Sequence, residues 1–531
     1  MKKLKKLFAV MLSLVMVLAM GITSFAADAG TDEVYGTNDD TGIITVKGIE
    51  AEDGITVKAY PIIKAVYGDD NNGTFSGYKS LYDVTGIKAN EITNTDIVLN
   101  ATQLTEYANK VTGTSYTMNR NDAGDYTAEV PVGSYLVLVT GTEAHSYNPM
   151  VVSVHYVNKD GSTQLKEGEL DITDGTATAK KSDAPEVDKK IVNDNKDTEA
   201  NDKGHSVNIG DVVKYEVSVN PVPNYSGSHP VLNVVDTLSA GLTYNDDVVV
   251  KIGRGENAVT LKKDTDYTVG FDEANNKITV NFVVNDNYKL NDYQGQEAVI
   301  TYSATLNKDA AMNNVGNENN VELNYTKDSK TTGNDEHDGS KTYTYTFDIG
   351  GAATGTTNII TKTGVEQGEE APLPGAVFAL YPTENDAKND TNKIEMTKAD
   401  GSTYNTATSD GNGQLYFRGL KAGTYYLKEL TAPAGYSVNT NIYKVDIKAT
   451  YNDDGTLSSW SVAVDNVEVA SFTAASSWKN THEAGTTIKN TKLSELPSTG
   501  GIGTTIFTIV GCGIMIAAAG LFFASRRKEN R

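Results

Sequence analysis

The chain has 531 residues and a formal net charge of -23, with 22% charged and 39% hydrophobic residues. It is too long for one ordinary core and too apolar for a disordered polymer, so several folded domains are expected. So acidic a surface repels nucleic acid and anionic lipid, and no nucleic-acid partner is expected.

Lys2, Lys3, Lys5 and Lys6 precede an apolar run over 7–20, and Ser24-Phe25-Ala26 supplies small residues before Ala27. Residues 1–26 therefore read as a secretory signal peptide cleaved after Ala26. Beyond it, short alternating apolar runs rich in Val, Tyr and Thr are broken by Asp, Asn and Gly, which is the pattern of strands and turns. Asn100 to Val111 is a helical candidate. The Asp-rich clusters at 69–73, 410–413 and 452–455 lack the spacing of a calcium loop, so solvated turns are expected, with no metal and no cofactor. The fold class expected is all-β, as tandem immunoglobulin-like β-sandwich domains.

Two breaks divide the exterior. KKSDAP at 180–185 is small and polar, and GGAATGTT at 350–357 is a Gly/Ala/Thr linker. The expected domains are an N-terminal one at 27–183, a middle one at 184–350 and a C-terminal one at 351–495. In strand phase, Val187, Lys189 and Ile191 share a face, and Asn319 shares one with Val321, Leu323 and Tyr325. Asp236 lies between them in VVDTLSAGLTY. In the third domain Lys362 is in phase with Ile360, Glu429 with Tyr425 and Leu427, and Asn490 with Ile488. A Lys, a Glu and an Asn thus each line up with core residues.

Segment 496–531 begins Leu496-Pro497-Ser498-Thr499-Gly500 and continues into an apolar run from Ile502 to Ser525. That run is long enough to cross a bilayer as a transmembrane helix. Arg526, Arg527, Lys528 and Arg531 then place its end on the cytoplasmic side. The sole cysteine, Cys512, sits in the apolar run, so the exterior has no disulfide and any covalent reinforcement needs another chemistry.

Burial supplies one. Desolvation drives a buried lysine toward the neutral amine and a buried carboxyl toward the neutral acid. A neutral amine beside a carboxamide is a nucleophile beside an electrophile, and the acid can shuttle the protons. Attack expels ammonia and leaves an amide between first and last strands. Folding supplies the proximity, and the event occurs once per molecule, so it is self-modification and not turnover.

The segments PLPGAVFAL, GLKAGTYYLKELTAPAGY and IKNTKLSELPSTGG resemble the collagen-adhesin B-type domain of Gram-positive surface proteins. That resemblance implies an isopeptide bond between Lys362 and Asn490 catalysed by Glu429, with Asn480 as the rival asparagine. The middle trio resembles the middle domain of pilus shaft subunits, which implies a Lys189–Asn319 bond with Asp236 as catalyst. Lys190 and Asn320 have the wrong parity and would need a bulge to substitute. VGSYLVLV and YNPMVV resemble the N-terminal domain of the same pilins, with no internal bond assigned. Residues 496–500 match the sortase sorting motif L-P-x-T-G, and the implied chemistry is attack of a sortase cysteine on Thr499 with release from Gly500 onward.

A lysine on another copy is then the acceptor that would make a polymer. Shaft pilins often present it as Tyr-Pro-Lys, which is absent here; Lys180 and, second, Lys181 stand in the expected place. The resemblance identifies the chain as a sortase-assembled pilus shaft subunit. Its implied partners are a class C-type pilus sortase and a housekeeping sortase, other copies of itself, minor tip or base pilins, peptidoglycan and a host surface ligand. A monomeric wall-anchored adhesin would share every feature except a used Lys180 or Lys181. A secreted enzyme is disfavoured, since the six histidines show no metal-type spacing.

Overall fold

The computed structural model describes residues 36–68, 74–93, 99–142, 144–160, 170–192, 200–225, 230–327, 335–349, 360–476, 485–493 and 502–529. The signal-peptide reading, Asn480 and the sorting motif at 496–500 lie outside them. Within them the exterior is built of strands around three separate cores.

The first core spans Ile44 to Leu170. Strands β1 (Thr41–Lys47), β2 (Thr56–Tyr67), β3 (Tyr126–Pro131), β4 (Gly133–Thr140) and β5 (Met150–Asn158) carry most of it. β5 alternates strictly between buried and half-buried residues, as a strand with one face on a core should. β1 pairs antiparallel with β3 and parallel with Gly175–Thr178, while β2, β4 and β5 are neighbours in a second sheet. The expected helix is α1 (Ala101–Lys110). Asn100 caps it by accepting from the Gln103 amide N–H, and the Gln103 side chain returns the bond to the Asn100 N–H.

Residues 181–183 do not form the loose linker that their composition suggests. They pair antiparallel with His145–Tyr147 and carry the chain toward the second core. Small polar residues suit this edge pairing, which offers backbone hydrogen bonds and buries only the Ser182 side chain.

The second core spans Ile191 to Tyr325 between two sheets. One contains β6 (Glu186–Ile191), β7 (Val212–Asn220) and β9 (Ala298–Leu306) in that order. The other contains β8 (Leu232–Leu238), β10 (Asn317–Tyr325) and β11 (Asp335–Tyr345), with β10 in the centre of the three.

In the third core, β12 (Ile360–Glu366) runs parallel to β17 (Thr486–Thr491). Facing that pair is the sheet of β13 (Val377–Tyr381), β14 (Gly423–Thr431), β15 (Ile442–Tyr451) and β16 (Leu457–Val464). Tyr345, Phe347 and Ile349 pack in this core, although they precede residue 351, where the third domain was expected to begin. The second and third units are joined by specific bonds. The Ile209 N–H donates to the Gly419 carbonyl at 3.0 Å, the Ala422 N–H to Ser206 Oγ at 2.8 Å, and Arg418 to the Lys308 carbonyl at 2.9 Å.

The Asp-rich clusters at 410–413 and 452–455 are turns that use their own side chains. Asp410 accepts from the Asn412 and Gln414 N–H groups, and Asp454 from that of Thr456. The cluster at 69–73 lies outside the described residues. Last comes α2 (Ile502–Glu529). Its stretch Phe507–Arg526 has a mean hydropathy of 2.2 and buries nothing against the protein, and it is long enough to cross a membrane.

Gly413 fixes the start of the third domain. Its carbonyl accepts from the Lys362 N–H at 2.6 Å, its φ is +72°, and an added Cβ would lie 2.2 Å from the Lys362 carbonyl oxygen. Gly413→Ala should therefore destabilise this domain by roughly 2 kcal/mol or more, from left-handed strain plus the clash. Both tryptophans, Trp460 and Trp478, fall in the third domain, so the urea midpoint read by tryptophan fluorescence should drop. An unchanged midpoint would contradict this account.

Candidate functional site

The middle trio meets in the second core. Alternation along β6 turns Lys189 inward, where it is fully buried. Asp236 on β8 and Asn319 on β10 enter from the opposite sheet at 3% and 0% exposure. Lys189 Nζ donates to Asp236 Oδ2 and to the Tyr302 hydroxyl at 2.6 Å. Tyr302, from β9, donates to Asp236 Oδ2 at 2.7 Å and accepts from Asn319 Nδ2 at 2.8 Å. Oδ1 of Asp236 and Oδ1 of Asn319 are buried with no hydrogen-bond partner among the described residues. Burial pushes the Lys189 amine down to about 8, outweighing the pull of Asp236 toward the charged form. Tyr302 is held well above its usual range, first by burial and then by the Asp236 charge.

Lys190 and Asn320 face outward, as parity requires. Lys190 pairs with Asp188 at 3.8 Å and Asn320 reaches Glu322 at 3.3 Å. Sequence reasoning missed Tyr302. Its only signal was an inward phase with Ile300 and Ala304 on β9, which any core tyrosine shows.

The third trio meets as well. Lys362 on β12 is fully buried, and Glu429 and Asn490 are each 2% exposed. In the parallel register Lys362 lies opposite Ile488 and Gly364 opposite Asn490, so the lysine and asparagine are diagonal neighbours on one face. Lys362 Nζ donates to Asn490 Oδ1 at 2.5 Å and to the Ile488 carbonyl at 3.1 Å. Asn490 Nδ2 donates to Glu429 Oε1 at 2.7 Å, and Glu429 Oε2 lies 3.7 Å from Nζ. The same Oε2 accepts from the Asn439 N–H at 2.8 Å. Burial again pushes the lysine down to about 8 against the attraction of Glu429. Here the carboxylate touches the amide nitrogen directly, whereas in the second core Tyr302 stands between.

Lys180 and Lys181 lie where the first and second units join, and both are exposed. Lys181 Nζ is bonded to Glu50 and lies 3.4 Å from His145 Nε2. That hydrogen bond to Glu50 raises the Lys181 pKa. Lys180 has no ion pair among the described residues.

Three segments match known families. Residues 209–329 match a Gram-positive pilin backbone subunit with a Cna-B-like domain, residues 357–458 a prealbumin-like fold domain, and residues 488–531 the LPXTG cell wall anchor motif. The trypsin-resistant surface T6 protein of Streptococcus pyogenes serotype M6 is 26% identical over 590 residues, covering 97% of this chain and 99% of that one. Among solved structures, the T6 backbone pilin of Streptococcus pyogenes superposes with a TM-score of 0.49 at 20% identity, covering 86% of this chain and all of that one. The Bacillus cereus major pilin BcpA does so at 0.44 and 15%, again covering 86% of this chain and all of that one.

An all-β exterior ahead of an LPXTG signal and an apolar helix defines a surface protein anchored to the cell wall, held by the membrane only until sortase cleaves it. With the pilin-backbone match, these findings support a sortase-assembled pilus shaft subunit of Gram-positive type. It is accordingly a sortase substrate that polymerises with other pilins.

The lowered lysines, as free amines, make stability depend on pH. An unfolded lysine keeps its proton up to about 10.4, while buried Lys362 releases its own near 8. Between these values the unfolded chain binds more protons, so stability rises with pH. An Asn490→Ala chain should show a urea midpoint, by tryptophan fluorescence, that climbs between pH 7 and about 9.5. A flat or falling midpoint would argue against a buried amine.

Proposed function

We propose that this shaft subunit is covalent throughout: cross-linked within its middle and C-terminal domains, and joined to the next copy from Thr499 to Lys180. The observation that carries the reading is the pairing, in each of two cores, of a fully buried lysine with a buried asparagine and a buried carboxyl group. Such a pairing is costly as structure alone, because two desolvated charges seldom recover their hydration.

In the middle domain Lys189 Nζ attacks Asn319 Cγ and Asp236 takes the amine proton. The Cγ–Nδ2 bond breaks and ammonia leaves. In the C-terminal domain Lys362, Asn490 and Glu429 take the same roles. The unpartnered Oδ1 atoms of Asp236 and Asn319 support a site arranged for reaction, since a finished structural network would satisfy them. The domains concerned are those of 184–350 and 351–495, behind an N-terminal domain of 27–183 without an assigned internal bond.

At the tail, a class C-type pilus sortase cleaves Thr499–Gly500 and passes the Thr499 carboxyl to a lysine of another subunit. A housekeeping sortase makes the final bond to peptidoglycan, and minor pilins occupy tip or base. The amine that attacks the acyl-enzyme must be neutral. Lys181 is held by Glu50, which favours its charged form, and this supports Lys180 as the acceptor.

Two measurements test this. Mass mapping of the wild-type chain should show two ammonias lost, and Lys189→Ala, Lys362→Ala, Asp236→Ala or Glu429→Ala should each restore one. A wild-type mass without deficit would sink the internal bonds. Separately, Lys180→Ala should abolish the ladder of SDS-resistant multimers while Lys181→Ala keeps it. Loss in Lys181→Ala alone reverses the assignment, and a ladder surviving both substitutions removes it.

A further inference from the structure

We propose that Tyr302 is a catalytic residue of the middle cross-link, relaying a proton from Asp236 to the departing nitrogen of Asn319; this rests on the cross-link reading above. The argument is one of proton balance. Forming the amide takes a proton from Lys189 Nζ and requires one on Asn319 Nδ2, so that ammonia and not an amide anion leaves. Asp236 Oδ2 is bonded to Nζ and can take the first proton. It makes no hydrogen bond to Nδ2 among the described residues. The Tyr302 hydroxyl touches both, at 2.7 Å from Oδ2 and 2.8 Å from Nδ2.

Before reaction Nδ2 is a planar amide nitrogen that donates to the tyrosine oxygen. Once Nζ has added to Cγ, Nδ2 becomes pyramidal and carries a lone pair. Asp236, now protonated, then gives its proton to the Tyr302 oxygen while the phenolic proton moves to Nδ2. The C–N bond breaks, ammonia departs, and Tyr302 and the Asp236 carboxylate return to their starting states. No oxidant or external acid is needed.

The other core supplies the contrast. Glu429 Oε1 is itself 2.7 Å from Asn490 Nδ2, so that carboxyl can serve amine and leaving group without an intermediary. Nor does packing explain the Tyr302 hydroxyl. Its ring is stacked on Tyr215 at 5.2 Å, a contact a phenylalanine would also make.

The test follows both bonds in the full chain during cell-free synthesis, by time-resolved mass mapping of the cross-linked peptides. Tyr302→Phe should slow the Lys189–Asn319 bond on the order of 10²-fold, as for loss of a general acid, while the Lys362–Asn490 bond forms at its normal rate. Fluorotyrosine at 302 keeps the shape and the hydroxyl but acidifies it, and should change the rate of the first bond alone. If both variants form that bond at the wild-type rate, the relay is overturned and the cross-link reading stands. If the wild-type chain never forms it, both are overturned.

Discussion

A lysine amine taken wholly out of water is the constraint on which the two proposed cross-link sites depend. Lys189 and Lys362 are among the largest fully buried side chains, in cores otherwise made mostly of Val, Leu, Ile, Ala, Tyr and Phe. An isolated ammonium there would be prohibitively expensive, so Lys189 is met by a carboxyl group and a tyrosine hydroxyl, and Lys362 by a carboxyl group and a carboxamide. The partial neutralisation that follows gives the amine its reactivity. Stability and chemistry therefore have one cause, and the sandwich must be folded before either operates.

Much of this was readable because strands carry a period of two. Parity alone placed Lys189, Asn319, Lys362, Glu429 and Asn490 among core residues and turned Lys190 and Asn320 outward. The helix at 101–110 falls within the candidate span from Asn100 to Val111, and the structure adds the Asn100 cap and Lys110 in the last turn. Parity says which face a residue joins but not which partner it meets. Tyr302 bonds to residues 66, 113 and 17 positions away, and Lys181 to one 131 positions away. Such contacts are set by sheet order and packing. The pairing of 181–183 with 145–147 was hidden for the same reason, because an edge strand of small polar residues has no alternation to display.

The two proposed bonds act on different strand geometries. In the third domain β12 and β17 are parallel neighbours in one sheet, in register from Ile360 with Thr486 to Val365 with Thr491. Tension entering at the start of β12 and leaving at the end of β17 loads that ladder in shear. A Lys362–Asn490 amide lies across the same ladder and carries the load before its hydrogen bonds do. In the middle domain β6 and β10 belong to opposite sheets, so no backbone ladder links Lys189 to Asn319. Packing and a few side-chain hydrogen bonds hold them, and these resist sliding less than a backbone ladder does.

The proposed middle bond is thus the one whose mechanical contribution has no backbone ladder beside it. Thermodynamically the two are closer. The Lys362–Asn490 closure spans 128 positions, and the chain-entropy account of cross-links gives about 5 kcal/mol for a loop of that length. The middle loop is of similar size and gives a similar figure by the same account. Equal contributions to equilibrium stability with unequal contributions to strength separate the two roles. The proposed C-terminal bond would reinforce a ladder that exists without it, while the proposed middle bond would join two sheets that no backbone ladder links.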